Sequence, residues 1–533
     1  MMRLLALKPG HDGSVAHVEG GRLEFSFEAE KDSGSRYAPL DIITMLNAIE
    51  HVGQVPDALV LSGWAAGLDV CGRPVGAGYL GLDEPRATML QLFGRKTWLV
   101  SSSHERSHLL NAYAMSPFPQ GQPCYALIWE GHIGAFYEID EALHIRRLGQ
   151  VMLDPGVRYA FAYGISDPSF ALGPGQARLA DAGKLMALAA YAQDVIPCAD
   201  ETAILDALFS APLEPSRLLK ADFQRFRAYD CGVASEASMR LARLVTERIF
   251  DLFDQRIRPL VHEKRPLLIA GGCGLNCEWN RKWLDSGLFS DIFVPPCAND
   301  TGSAIGSAAD ALQYFTGNAK LEWDVYCGQT FNDDIGHAGK TRLGAFRRRS
   351  SRVEDVAAAL QDGAVLGHVA GRAEIGPRAL GNRSIVAAPF HQAMHQRINA
   401  IKRRESFRPI APVCMEEDMA LHFDLGRPSP YMLYFCKVRS RVLQAITHVD
   451  GSARVQSVSA SQNPALHSLL TAFKARTGYG VLCNTSLNFN GAGFINRTSD
   501  LVAYAEAAGL DGFVIEGTLF ERDTSPTHAR GSQ

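Results

Sequence analysis

The 533-residue sequence has no run approaching the roughly 18 uninterrupted apolar residues that a membrane-spanning helix needs, so no membrane association is expected. The opening stretch MMRLLALKPGHDG has too short an apolar run, broken by Arg3 and Lys8, for a secretory signal. Excess charge of one sign is missing too. With 53 basic and 57 acidic residues the net charge is -4, so there is no electrostatic reason to expect nucleic acid or an anionic surface as partner. The 11 cysteines are odd in number and scattered, which argues against a disulfide framework and fits a reducing cytoplasm. Cys273, Cys277 and Cys297 lie close together without a complete set of zinc ligands, and read as small packed residues. P-loop, G-x-S-x-G, fixed-period repeat and low-complexity tract are all absent.

What is present is the composition of a globular protein, 47% hydrophobic and 21% charged, in a chain long enough for two or three domains. RLLALK, SVAHVEG and RLEFSFEAEK read as strands turning at Gly20-Gly21, and Ile42, Ile43, Leu46 and Ile49 recur at helical spacing before the strand DALVLSG. CYALIWEG and GAFYEI form a second strand pair. Two strands, PLLIAGGCGLN and DIFVPP, then run into glycine-bearing turns and helices. Such junctions aim backbone amides at phosphate, although a glycine also serves a bare tight turn. Periodicity fades over EWDVYCGQTFNDDIGHAGKTRLGAFRRRSS, which sets the expected boundary between domains 1–345 and 346–533 and makes Arg347 to Arg349 a solvated linker face. Beyond it, helices alternate with strands, among them AVLGHVAG, RSIVAAP, YMLYFCKV and YGVLCNTSL, as in a second α/β or α+β unit.

Two motifs mislead. GAGYLG, residues 76–81, fits the dinucleotide fingerprint G-x-G-x-x-G, but no buried strand precedes it and no apolar helix follows, so a loop is expected. His104-Glu105-Arg106-Ser107-His108 is a literal H-E-x-x-H, whose bland alternative is a solvated helix start. A metzincin would continue with glycine and histidine where Asn111 and Ala114 stand, and Glu130, the nearest candidate for a later glutamate ligand, lies in a strand. A different grouping uses more residues. If the fold joins the turns after their strands, His104, His108, Glu130 and Asp300 make a mixed nitrogen and oxygen donor set for a divalent metal, with His11 beside it.

KPGHDGSVA, SHERSH, GKLMALAAYA, IAGGCGLNCEWN, PPCANDTGSAIG, GRAEIGPRALGNRS, RRESFRPIAPV and NTSLN occur in order from residue 8 to about 493, and together they resemble the O-carbamoyltransferases of antibiotic and nodulation-factor biosynthesis. KPGHDG and WEGHIGAFYEI look most like the branch that acts on the hydroxymethyl group of cephems. The resemblance implies an α/β chain with an actin-like, Hsp70-like ATPase fold first and a YrdC-type domain second. It also implies ATP and carbamoyl phosphate as co-substrates, carbamoyl-adenylate as the activated species, a metal such as iron, magnesium or manganese, and a small-molecule hydroxyl as acceptor. A homodimer is compatible with it. The rivals are tRNA threonylcarbamoyl modification, which would call for a basic RNA-binding face, and a silent nucleotide-binding scaffold.

By residue, the resemblance makes His11 the general base and His108, Glu130, Asp300 and His104 the metal set. Glu130 stands where most of the family has aspartate, so its ligation is direct or through water. Lys184, Gly271, Gly272 and Asn276 fall at the nucleotide. Lys402 and Arg404 supply the K-x-R half and Ser486 and Asn488 the S-x-N half of the adenylate signature, with Arg378 and Arg383 as further phosphate partners, because guanidinium forks match phosphate oxygens.

Overall fold

Alternation in the first residues produces the expected meander: β1 (Arg3–Lys8), β2 (Ser14–Glu19) and β3 (Arg22–Glu28) pair antiparallel, turning at Gly20 and Gly21 with φ of 60° and 89°. The structure is a computed structural model and describes residues 2–31, 34–63, 66–68, 74–209 and 218–523. Helix α1 (Ile42–Val52) is capped by Asp41, whose carboxylate accepts from Thr44 N at 2.7 Å. The apolar positions that mark this helix face outward. Ile42, Ile43, Leu46 and Ile49 are exposed, while the smaller Thr44, Ala48 and Val52 face inward, where Ala48 and Val52 pack with Phe25 and Phe27 of β3.

Strand β4 (Ala58–Ser62) runs parallel to β1. A small pair, β5 (Ala66–Leu68) and β6 (Pro74–Ala77), follows, so the loop expected at GAGYLG begins as a short strand and bends only from Gly78. With β7 (Arg86–Leu92) and β8 (Arg95–Ser102) the first sheet has the order β3-β2-β1-β4-β8-β7. Helix α2 (His104–Met115) leads to β9 (Cys124–Trp129), β10 (Ile133–Ile139) and β11 (Ile145–Leu153). Helices α3 (Pro155–Ser166), α4 (Leu179–Ala189), α5 (Ala199–Phe209) and α6 (Glu236–Ile257) share the hydrophobic core on one face of the second sheet. After them come β12 (Leu267–Ala270), α7 (Cys277–Asp285), β13 (Ile292–Phe293) and α8 (Ser303–Thr316).

The second sheet has the order β11-β10-β9-β12-β13. Both sheets therefore share an antiparallel three-strand meander extended by parallel strands, β4 and β8 in one and β12 and β13 in the other, and the first adds β7 antiparallel to β8 at its edge. This duplicated order is the actin/Hsp70-like arrangement. Helices α2 and α8 lie between the sheets, in a core that joins Leu4, Val60 and Val100 of the first to Ala126, Ile128 and Leu268 of the second.

That sandwich works because α8 is built of small residues. A Cβ on Gly306 would sit 1.8 Å from the Ser107 carbonyl oxygen, and one on Gly302 would sit 2.3 Å from Asn111 Nδ2. Here glycine permits contact between helices as well as a turn. A buried ion pair, Arg106 Nε to Asp310 at 2.8 Å, ties the same two helices.

Strands between Arg342 and Arg522 form a mixed nine-stranded sheet. Its order is Arg342–Leu343, Phe346–Ser350, Thr518–Arg522, Gly512–Ile515, Leu366–Val369, Arg383–Ala387, Val481–Ser486, Ala411–Met415 and Gln456–Val458. Arg347 to Arg349 are exposed as expected, yet they belong to a strand rather than a linker. In YMLYFCKV only Cys436–Lys437 is strand; Met432, Leu433 and Tyr434 are buried in irregular backbone instead. A seam closes the first sheet on this region. Lys31 Nζ donates to Gly376 O at 2.7 Å, Gly376 N donates to Glu28 Oε1 at 2.6 Å, and Phe494 N donates to Glu30 O at 3.1 Å. Among the described residues no helix is long and apolar enough to cross a membrane.

Because Gly306 has no room for a side chain, Gly306→Ala is expected to lower stability by at least the ~1–3 kcal/mol typical of core overpacking, read as a shifted denaturant midpoint. An unshifted midpoint would show that the helices separate freely.

Candidate active site

Ser103 starts α2 by accepting from Arg106 N at 3.0 Å, which sets the register that stacks His104 and His108 on one face. Every residue of this helix is buried, so it is no solvated helix start. Glu130 follows the last residue of β9, and Asp300 opens the turn that feeds α8. The ligand atoms of His104, His108, Glu130 and Asp300 all lie within 4.8 Å of one another, and all four residues are buried. His104 Nε2 and His108 Nε2 are 3.2 Å apart, with Asp300 Oδ1 3.7 Å from the first and 3.3 Å from the second.

The electrostatics fit a cation at this point. Burial pushes His104 down to about 3, against the pull of Asp300, which keeps its nitrogen lone pair available. Burial also acts to raise Asp300, but His104, Lys8 and His108 outweigh it and hold the carboxylate well below its usual range. Burial and the neighbouring Asp300 raise Glu130. Two acids and two imidazole nitrogens converging in a dry place suit a first-row divalent ion.

His11 stands at the edge of this group. Its Nε2 is 3.7 Å from Asp300 Oδ2, and its Nδ1 is 3.1 Å from Asp12 Oδ2. The Asp12 hydrogen bond raises its pKa, opposed by burial. Lys8, buried and absent from the residues singled out in the sequence, bridges the two: its Nζ lies 3.0 Å from Asp300 Oδ2 and donates to the His11 carbonyl. Its place in the KPGHDG motif was the available signal.

The H-E-x-x-H glutamate is not aimed at the metal group. Glu105 accepts from Tyr137 OH, from Arg147 and, at 2.9 Å, from Gly81 N. Its oxygens are occupied by structural donors, so it offers no protease base. Tyr79, from GAGYLG, lies against the site: its hydroxyl donates to Glu130 Oε1 at 2.8 Å and its ring stacks on His104 at 4.5 Å.

A second group gathers around Lys402. Its Nζ donates to Ser486 O at 2.7 Å and to the Asn488 side-chain oxygen, so the K-x-R and S-x-N segments meet. Burial together with Arg404 and Arg408 drives Lys402 well below its ordinary pKa. Burial, Arg408 and Arg454 bring Arg404 down to about 9. Arg378 falls to about 9 through burial and Arg454, with Arg36 and Arg408 adding to it. Buried Nε atoms of Arg378 and Arg454 have no hydrogen-bond partner. Arg36, Arg408 and Arg454 are the members missed in the sequence. Arg408 lies within RRESFRPIAPV, whereas Arg36 and Arg454 carried no local signal. Glu405 is the nearby acid, 3.3 Å from Lys184 Nζ, and Lys184 also pairs with Asp181 at 3.1 Å.

Other expected residues sit elsewhere. Arg383 is 1% exposed and donates to Asn496 Oδ1 and to the carbonyls of Ala370, Asn382, Gln329 and Gly371, a clamp for its own strand and loop. Gly271, at φ 93°, lies where a Cβ would be 2.6 Å from Glu130 Cβ, so it backs the metal group; Gly272 faces open space. Asn276 caps α7 through Glu278 N at 3.1 Å and Trp279 N at 3.3 Å.

The Carbamoyltransferase N-terminus family matches residues 91–257 and 213–309, and the Carbamoyltransferase C-terminus family matches 357–522. The chain belongs to the carbamoyltransferases. A 3'-hydroxymethylcephem-O-carbamoyltransferase of Amycolatopsis lactamdurans is 46% identical over 98% of this chain and 99% of its own. Its counterpart from Streptomyces clavuligerus is 45% identical over the same shares, and nodulation protein U of Rhizobium tropici is 32% identical over 98% of this chain and 96% of its own. The N-terminal match of this carbamoyltransferase spans His104, His108, Glu130 and Asp300, and its C-terminal match spans Arg378, Lys402, Arg404, Arg408 and Arg454.

Half-buried arginines crowded around the buried Lys402 are expected to gain stability from a bound anion. Inorganic phosphate at about 100 times its Kd is expected to add ~2.7 kcal/mol, seen as a rise in melting temperature, and Arg404→Gln is expected to abolish most of that rise. A variant with the native response would remove the cluster from the anion site.

Proposed function

We propose that this carbamoyltransferase converts carbamoyl phosphate and ATP to carbamoyl-adenylate and passes the carbamoyl group to a hydroxymethyl cephem. The observation that carries the reading is the contact of Lys402 with Ser486 and Asn488 amid Arg378, Arg404, Arg408 and Arg454. Cations this crowded suit a ligand with several negative charges, and neutral amide and carbonyl groups beside them suit a carbamoyl head. The acceptor is drawn from the names of the relatives that match over the full chain.

Activation consumes one water. Cleavage of carbamoyl phosphate releases inorganic phosphate and carbamate, whose oxygen attacks the ATP α-phosphorus, and pyrophosphate departs. Arg404, Arg408 and Arg378 neutralise the phosphates that approach and leave, while Lys402 is kept in place by Ser486 and Asn488. This step belongs to the YrdC-like part, residues 346–533. Transfer belongs to the actin-like part, residues 1–345. There the acceptor oxygen attacks the carbamoyl carbon, the bond from that carbon to the AMP oxygen breaks, and the acceptor proton passes to His11 Nε2, with Asp12 orienting the ring through Nδ1. His104, His108, Glu130 and Asp300 would hold a divalent ion such as iron or manganese, which when bound supplies Lewis-acid polarisation near the adenylate phosphate.

Pyrophosphate release from ATP, measured without acceptor, is expected to depend on carbamoyl phosphate; release indifferent to it in folded, metal-loaded protein would sink the adenylate step. His11→Asn is expected to retain that release and to lose transfer to a hydroxymethyl cephem by ~100- to 10,000-fold, the usual worth of a positioned base. Equal loss of both steps would remove His11 from the base role.

A further inference from the structure

Glutamate at position 130 carries one more rotatable bond than an aspartate, so its carboxylate needs outside support to present one oxygen to a metal. The support is visible. Glu130 Oε1 accepts two hydrogen bonds, from Ile133 N at 2.8 Å across the β9–β10 turn and from Tyr79 OH at 2.8 Å. Tyr79 is held in turn by a strap. His104 N donates to Gly78 O at 3.1 Å, Glu105 N to Tyr79 O at 2.9 Å, Ser103 Oγ to Gly81 O at 2.5 Å and Arg106 to Leu82 O at 3.0 Å. Glu105 closes it by accepting from Gly81 N at 2.9 Å. Gly78 and Gly81, at φ of 89° and 143°, let the strap follow the helix end so tightly.

From this geometry we infer that Tyr79 is a positioning residue of the metal centre: it holds Glu130 Oε1 so that Oε2 alone turns to the ion, and its ring fixes the plane of His104. The inference rests on the metal reading above. It also gives two misleading motifs one purpose. The tyrosine of GAGYLG braces one ligand, and the glutamate of H-E-x-x-H anchors the strap that carries the tyrosine. Partners of this kind typically contribute 10- to 100-fold to metal affinity.

The test titrates the full-length protein with Co2+, whose visible ligand-field bands report coordination. Tyr79→Phe keeps the ring and its stacking on His104 but removes the hydroxyl. Its Co2+ affinity is expected to fall 10- to 100-fold with altered bands and an unchanged melting temperature of the metal-free protein. In a Glu130→Ala background the same substitution is expected to change neither affinity nor bands, because the group being braced is gone. A Tyr79→Phe protein with native affinity and bands would overturn the inference, as would an equal loss in the Glu130→Ala background. Native protein that binds no Co2+, Fe2+ or Mn2+ would sink the metal reading, and this inference with it.

Discussion

The backbone contact between α2 and α8 is the constraint on which the rest depends. Gly306 and Gly302 bring α8 against Ser107 and Asn111, and Arg106 meets Asp310 in the same seam. Removing one partner of such a buried pair costs ~3–5 kcal/mol, so the register of the helices is fixed as well as their distance. Asp300 opens the turn that leads into α8, and His104 and His108 ride on α2. Their meeting is thus a product of helix packing, and Glu130 is added from the sheet that packs on those helices. A site assembled in this way is as rigid as the core that carries it.

The cationic group is organised differently. Burial lowers the pKa of Lys402, Arg378, Arg404 and Arg408, and neighbouring arginines, among them Arg408 and Arg454, lower it further. Hydrogen bonds to Leu275 O, Asn399 Oδ1 and the Ser486 carbonyl hold the side chains in position but supply no full negative charge. Under the proposed function, this crowding prepares donors for a polyanion in advance of its arrival. One group is thus buried and pinned by packing, and the other is held together against the mutual repulsion of its cations.

Much of this was legible in the sequence. Alternation and the Gly20-Gly21 pair located the first hairpin, and the serines before His104 located the helix start. The convergence of His104, His108, Glu130 and Asp300 was legible because they lie in the first turns of a helix, at the end of a strand or at the entry to a helix, positions at which an α/β fold gathers side chains. Local pattern does not disclose partners across space. Tyr79 lies 51 residues before Glu130, and Arg36 and Arg454 reach their group from unrelated segments. Residues 432–434 of YMLYFCKV read as strand because burial and strand formation leave the same apolar signature. The outward isoleucines of α1 follow from bulk: Phe25 and Phe27 fill the space beneath the helix and leave room only for small residues.

The seam between Lys31, Glu28 and Gly376 bears on how this chain can recombine with its relatives. A Cβ on Gly376 would also lie 2.2 Å from Pro296 O, just upstream of Asp300. The loop that delivers Arg378 is therefore keyed on one side to β3 and on the other to the approach to the metal group. A crossover between the two halves would mate a foreign lock with a native key even if both halves folded perfectly. A chimera keeps these contacts together when β3, the Pro296–Asp300 approach and the Gly376 loop come from one parent.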